Sequence, residues 1–514
     1  MDTRLEKVLG KRIPEDSSPT RLTASRTPRW FVALGLLALA VYVCFLATNS
    51  AAVAAGPDSS GYLNSAKLLA AGKLRTELRV PPEIRRDAEF KAAHFSPLGF
   101  KLFPHHPDLV PSYPTGLPLH FAASGLVLGW KVGPFVVQLA AAAAAVWLCY
   151  LVGRKLGLSP VTAVAPASLL ALFPVFIFTS IQTLSDTLAT TWTLAALVFG
   201  LLAHERRAWA AACGAAFAMA VLVRPTNLLL APALLVLIGA DWRRLTLFVI
   251  GGLPGALWLG WYNHQLYGGV LQSGYGNALE AFALHYGVPT ALHFAKWLAL
   301  LLPPVVLALP LAAVAQRETS GRALVSLGLV FAAITGVYLF YDVSHDVWWC
   351  LRFILPAIAA LLLAAGLGVE SLARGPGARW PRGFRPLATS LLVLWAAGIS
   401  WHWTRQLHVL YVPMYERAYG EMAELVRERV PANGVVVCSV MTGAIYYHTA
   451  LPTLVYDSIT PGEFAHYVAL ARGAGRPIYA AIFNIEEEEV LRTRCPGDWK
   501  QLAKVDNIGL WELQ

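Results

Sequence analysis

The sequence is short of charge. Asp, Glu, Lys and Arg together make up 14% of its 514 residues, against about 25% in soluble globular domains. The scarcity is also uneven, with long stretches holding no charge and short stretches holding several. That pattern excludes an ordinary soluble fold. Cysteine is scarce too: the six cysteines are too few for a disulfide scaffold. Cys44, Cys149, Cys213 and Cys350 lie in or beside apolar runs, Cys438 and Cys495 lie in a polar tail, and no Cys/His spacing fits zinc. No internal repeat suggests a transporter built from two halves. The apolar runs lack charges at their centres, where a transport pathway would place them.

What remains is apolar length. The chain is 56% hydrophobic, its mean hydropathy is +0.53, and it contains many runs near the 20 residues that cross a bilayer. Eleven spans are expected, near 30–52, 133–152, 159–180, 184–203, 207–223, 225–240, 244–264, 292–315, 322–341, 351–373 and 386–405. The first 29 residues are mostly polar and carry seven Lys or Arg, so the run that follows reads as an uncleaved first helix, not a signal peptide. The net charge of +10 would suggest nucleic acid in a soluble protein. Here the positives fall in short loops: Arg154 and Lys155, Arg206 and Arg207, Arg243 and Arg244, Arg317 and Arg322, and Arg374, Arg379, Arg382 and Arg385. With the N-terminus inside, each of these loops is cytoplasmic, as the positive-inside rule requires, and no nucleic-acid partner is expected. Segment 114–130 is then an interfacial or re-entrant helix on the outer face, because counting it as a span would invert everything after it.

The expected fold class is an all-α polytopic membrane domain with a small C-terminal α/β extracytoplasmic domain. Residues 1–29 form a cytoplasmic segment, 30–405 the transmembrane domain with a large outer loop over 53–132, and 406–514 the soluble domain. In the last of these, Tyr415 to Arg429 reads as an amphipathic helix ended by Pro431 and Asn433-Gly434. Runs 434–438, 477–483 and 507–513 read as strands, and Glu486 to Glu489 as a helix start.

Ionisable groups at membrane-helix ends are costly and therefore mark function. Asp58 follows the first span, and Asp186 stands in the tight outer turn Thr183-Leu184-Ser185-Asp186. Each also has a purely structural reading as a helix N-cap. Arg224 and Arg352 lie on the outer side, against the positive-inside rule. A guanidinium facing a lipid phosphate explains both, and snorkelling to ordinary headgroups is the other reading. Tyr62, Tyr113, Asn263, His264 and His345 decorate the same face as candidate substrate-binding residues. His105, His106 and Asp108 are the candidates for a divalent metal, although Pro104 and Pro107 make that segment a loop; no metal is assigned. Carboxylates that deprotonate or orient an acceptor, beside arginines that stabilise a leaving phosphate, suit displacement of a lipid phosphate from a sugar.

Several short motifs occur in order: Pro57-Asp58-Ser59-Ser60-Gly61-Tyr62-Leu63, Tyr113-Pro114-Thr115-Gly116-Leu117-Pro118, the Gly-Arg-Lys-Leu-Gly run 153–157, Leu184-Ser185-Asp186, Val223-Arg224-Pro225-Thr226-Asn227 and Arg352-Phe-Ile-Leu-Pro356. In this layout residues 30 to about 405 resemble the GT-C superfold glycosyltransferases, which include protein O-mannosyltransferases and the lipid A aminoarabinose transferase. The resemblance implies inverting transfer from a polyprenyl-phosphate sugar to a lipid, glycan or protein acceptor at a bacterial inner membrane. It makes Asp58 the general base, Asp186 a second carboxylate, and Arg224 and Arg352 the phosphate ligands. Ser59 stands where some relatives carry Glu, so no second acid adjoins Asp58. The competing classes are a lipid-linked glycan ligase or polymerase, a transporter or flippase, and a non-catalytic scaffold.

Overall fold

A computed structural model describes residues 28–103, 108–276, 278–315, 321–374 and 383–514. Its helices follow the apolar runs. The first is α1 (Arg29–Thr48), then α2 (Pro57–Ala70), α3 (Gly116–Leu128), α4 (Gly133–Lys155), α5 (Val164–Leu172), α6 (Pro174–Ser180), α7 (Asp186–Leu202) and α8 (Trp209–Val223). After α8 come α9 (Ala231–Ile238), α10 (Trp242–Tyr267), α11 (Gly287–Leu301), α12 (Val305–Ala315), α13 (Gly321–Tyr338), α14 (Leu355–Arg374) and α15 (Phe384–Gln406).

Eleven apolar runs do not become eleven full-length helices. Among the described residues five helices are long and apolar enough to cross a membrane, and α11 with α12, bent by 98°, makes a sixth if counted as one span. The reason is visible in the sequence. Phe173-Pro174 separates α5 from α6, Pro225 separates α8 from a 3-10 turn (Pro225–Leu230), and Pro303-Pro304 separates α11 from α12. Proline removes an N–H and disfavours helix at the residue before it. Segment 114–130 contains α3, a helix of 13 residues.

An apolar surface has two fates here. Helix α1 buries only Leu46 and exposes Leu34, Leu37 and Val41, so its apolar surface faces lipid. Nearly all of α14 is buried, from Leu355 to Ser371, and it forms the axis of the bundle. A helix apolar all round belongs in one of these two places. At the end of α14 far from Leu355, the buried Glu370 carboxylate binds Arg374 at 2.9 Å and Arg385 at 3.1 Å, and accepts the Ser159 backbone N–H at 3.1 Å. At the same end Lys155 pairs with Glu205 at 2.7 Å and Arg207 with Asp241 at 3.2 Å. Arg317, Arg379 and Arg382 lie outside the described residues.

The opposite end is capped by a polar layer. Strands β1 (Thr76–Glu77), β2 (Phe100–Leu102) and β3 (Asp108–Pro111) form a small antiparallel sheet in the order β1-β3-β2. The chain after α15 continues as α16 (Val412–Arg429), β4 (Val435–Cys438), α17 (Thr442–His448), β5 (Thr453–Val455), α18 (Pro461–Gly473), β6 (Ile478–Phe483), β7 (Trp499–Val505) and β8 (Ile508–Leu513). These strands form one mixed sheet, β5-β4-β6-β8-β7, with β4 parallel to β5 and β6, and β8 antiparallel to β6 and β7. Alternate residues serve opposite faces. Val435, Val437 and Ala480 pack with α18 and with Leu78, Ile84, Phe95 and Phe100 of the 53–132 segment. Val436, Cys438 and Ala481 pack with Met422, Val426 and Ile445 of α16 and α17. Cys438 and Cys495 fall in different clusters, and both are free thiols.

Candidate active site at the helix ends

Helix α2 starts at Pro57, where a missing N–H costs nothing, with Gly56 as its N-cap. Asp58 therefore stands in the first turn, where the helix dipole favours a carboxylate, and it makes no capping bond. Asp186 is the first residue of α7; the N-cap is Ser185, which makes no capping bond either. Its hydroxyl instead accepts the Tyr62 hydroxyl at 3.0 Å and Arg224 Nε at 3.4 Å. The capping readings of Asp58 and Asp186 thus give way to side-chain pairing.

The motif Val223-Arg224-Pro225-Thr226-Asn227 is a helix terminus. Pro225 pushes Arg224 out of helical geometry, to φ −142° and ψ 110°, so its side chain leaves the axis of α8. Asn227 Nδ2 donates to the Ala220 carbonyl at 3.0 Å, satisfying an otherwise open helix end, and the Thr226 and Tyr338 hydroxyls are 3.0 Å apart. Arg352 is held in a 3-10 turn (Trp348–Ile354) that leads into α14.

These ends converge. Arg224 Nη2 lies 2.7 Å from Asp186 Oδ1, Arg352 Nη2 lies 2.8 Å from Asp58 Oδ2, and Arg352 Nη1 lies 4.0 Å from Asp186 Oδ2. Two arginines and two carboxylates so form one alternating chain of charge. The Asp186 side chain is 1% exposed and those of Arg224 and Arg352 are 14% and 18% exposed, which removes most solvent screening. Both guanidinium carbons sit over the Phe353 ring, at 5.4 and 5.2 Å from its centroid. Arg224 Nη1 and Arg352 Nε are buried and without a hydrogen-bond partner among the described residues. Burial alone would raise the Asp58 carboxyl, but the Arg352 guanidinium, with help from the Tyr113 hydroxyl, holds it below the usual aspartate value. The Tyr62 and Tyr113 rings, 4.9 Å apart, wall the site beside it.

The other candidates lie elsewhere. Asn263 donates to the Val270 carbonyl at 3.2 Å and closes the turn after α10, and His264 is exposed next to it. His345 stands by Thr290 Oγ1 at 3.4 Å and by the Tyr286 ring. His105 and His106 lie outside the described residues, and Asp108 starts β3 opposite Glu77. No group of three metal-ligating side chains forms among the described residues.

One residue beside the site went unread in the sequence. Ser59 Oγ donates to Glu416 Oε2 of α16 at 3.3 Å. Burial, with a further contribution from the Asp58 charge, pushes the Glu416 carboxyl up to about 7. Its neighbours Tyr415-Glu416-Arg417 look like a solvated helix face, so local sequence carries no signal for it.

A bundle whose charged helix ends meet under a polar cap is that of an integral membrane protein with a fold similar to the GT-C glycosyltransferases. The profile of the dolichyl-phosphate-mannose-protein mannosyltransferase family matches residues 129–258. The fold is similar to ArnT from Cupriavidus metallidurans bound to undecaprenyl phosphate, with TM-score 0.60 and 13% identity over 95% of this chain and 98% of that one. It is also similar to the oligosaccharyltransferase AglB from Archaeoglobus fulgidus, with TM-score 0.50 and 13% identity over 89% and 70% of the two chains. The arabinofuranosyltransferase AftD from Mycobacteria gives TM-score 0.50 and 16% identity over 95% and 42%. No curated protein matches the chain by sequence. At these identities the likeness is one of fold, and a fold does not by itself fix an activity.

Proposed function

We propose that the protein is a membrane glycosyltransferase that moves a sugar from a polyprenyl-phosphate donor to an acceptor outside the cytoplasm, with inversion. The observation that carries this reading is the pair of largely buried guanidiniums at one point, each bound to a carboxylate and each keeping a buried N–H without a partner among the described residues. A phosphate oxygen is the natural acceptor for such donors. Arg224 and Arg352 hold the donor phosphate and stabilise the charge that grows on it as the sugar departs. Asp58 orients the acceptor or receives its proton. The acceptor oxygen bonds to the anomeric carbon from the face opposite the phosphate, and the carbon–oxygen bond to phosphate breaks with its electron pair staying on the phosphate. Asp186 bridges the two arginines and fixes their spacing. The likeness to a protein bound to undecaprenyl phosphate supports a polyprenyl donor. The basic far end supports a cytoplasmic N-terminus, with the site outside a bacterial inner membrane.

The test uses the purified full chain in native lipid and a panel of polyprenyl-phosphate sugars, wild type beside Asp58→Ala and Arg224→Ala. We expect transfer or donor hydrolysis by wild type, lost in both variants, with undecaprenyl phosphate binding lost in Arg224→Ala. Wild type that neither consumes any donor nor binds undecaprenyl phosphate would overturn the reading in favour of a transporter or scaffold.

A further inference from the structure

We propose that Glu416, carried to the site by helix α16 of the C-terminal segment, receives the acceptor's proton during transfer, while Asp58 orients the acceptor. This inference rests on the transferase reading above and assigns a second carboxylate to its site.

Asp58 is already committed to a cation. Its Oδ2 is bound by Arg352 at 2.8 Å. A carboxylate held by a guanidinium and depressed in pKa is well suited to accept a hydrogen bond and is a poor sink for a full proton. The next residue, Ser59, hands the chain a different carboxylate, Glu416, at 3.3 Å. No Lys or Arg pairs with Glu416 among the described residues. Withdrawing a carboxylate even partly from water without a cation beside it is costly, so its placement calls for a reason. The groups that face it are Asp58 and Ser59 from α2 and Tyr419 from its own helix; Arg417, next to it in sequence, turns away to the Ser50 carbonyl at 3.1 Å. None of these supplies a positive charge to hold it ionised, and its titration near neutral pH matches a general base in working buffer.

The placement is built. Asn64 Nδ2 donates to the Gly443 carbonyl at 3.0 Å and Lys67 Nζ to the Tyr447 carbonyl at 3.1 Å. With the Arg417 bond these fasten α16 and α17 along α2 and the 50–54 segment. A Cβ on Gly443 would come within 2.1 Å of Ser60 Oγ, so α17 lies directly on the first turn of α2. In the transfer step the acceptor oxygen bonds to the sugar carbon, its proton passes to Glu416, and the polyprenyl phosphate leaves with the bonding pair, so charge and atoms balance. The neutral acid then returns its proton to solvent.

The experiment compares full-length wild type, Glu416→Gln and Glu416→Asp in lipid nanodiscs. Infrared difference spectra across a pH series need no substrate; we expect a carboxyl band titrating near 7 in wild type and missing in Glu416→Gln. Transfer from the donors of the panel should rise with pH through about 7 in wild type. It should fall by about 10²- to 10⁴-fold in Glu416→Gln, with that rise abolished. Glu416→Asp should restore part of the rate, and all three proteins should bind undecaprenyl phosphate alike. A Glu416→Gln enzyme with the wild-type rate and pH profile, or a spectrum without the band, would overturn the proposal and leave the transferase reading standing. Wild type that fails to bind undecaprenyl phosphate overturns both.

Discussion

Breaking the Asp186–Arg224 pair tests the site as a physical object. At 2.7 Å, with an effective dielectric of about 20, the attraction between the two charges is about 6 kcal/mol, and that of Arg352 for Asp186 at 4.0 Å is about 4 kcal/mol. Desolvation opposes most of this, so the pair adds little net stability. Removing one partner is different, because the other remains buried: Asp186 has a side chain only 1% exposed. Losses of about 3–5 kcal/mol follow from such breakage. Arg224→Met should fall at the low end, because Arg352 stays within reach of Asp186. Asp186→Asn should fall higher, because Arg224 and Arg352 then face each other with one carboxylate fewer. The double variant should recover a large part of the sum, a coupling of about 2–3 kcal/mol, yet still fail to bind undecaprenyl phosphate. Denaturation in detergent, read as a double-mutant cycle, measures the first part, and lipid binding the second. Single losses below about 1 kcal/mol, or losses that simply add, would refute a closed, buried charge chain.

Other outcomes follow from backbone contacts and from titration. A Cβ at Gly116 would come within 2.4 Å of Val223 N, backbone that cannot move aside without shifting Arg224. Gly116→Ala should therefore lower undecaprenyl phosphate affinity at least tenfold and depress the melting temperature, whereas Gly328→Ala, with no neighbour near its Cβ among the described residues, should do neither. Gly443→Ala should loosen α17 from α2, seen as faster proteolysis after α15 with the bundle intact. The Glu416 carboxyl, raised in the folded chain, binds its proton more tightly folded than unfolded. Its contribution to stability is thus present below the ordinary glutamate value and lost as pH rises to about 7. Glu416→Gln should accordingly melt no lower than wild type in alkaline buffer, a result that would separate loss of activity from loss of fold.

The membrane class, the helix positions and the four charged candidates are all legible in one dimension. Apolar length reports the bilayer requirement, and a charge at the end of an apolar run is too costly to be idle. Asp58, Asp186, Arg224 and Arg352 stand out because their neighbours are apolar. Even the prolines that shorten helices are in plain view: Pro225 marks a boundary between two expected spans, while the spans drawn through Pro174 and Pro303 miss the breaks there. Asn263, His264 and His345 share the favoured face yet take part in local turns and ring contacts, since sitting on one face of a bundle does not place residues at one point.

What sequence alone determined is therefore a membrane-embedded bundle with costly charges at one end. Tertiary structure alone decided who pairs with whom. Asp58 takes Arg352 across 294 positions, and Ser59 finds Glu416 across 357. Strands β5 and β7 were invisible because one is three residues long and the other is mostly exposed at the sheet edge, and the 53–132 segment joins the C-terminal sheet through a shared apolar core. Periodicity and burial cost are local properties that a chain carries with it. The coincidence of α2, α7, α8, α14 and α16 at one point depends on how the bundle closes, and no single segment records that.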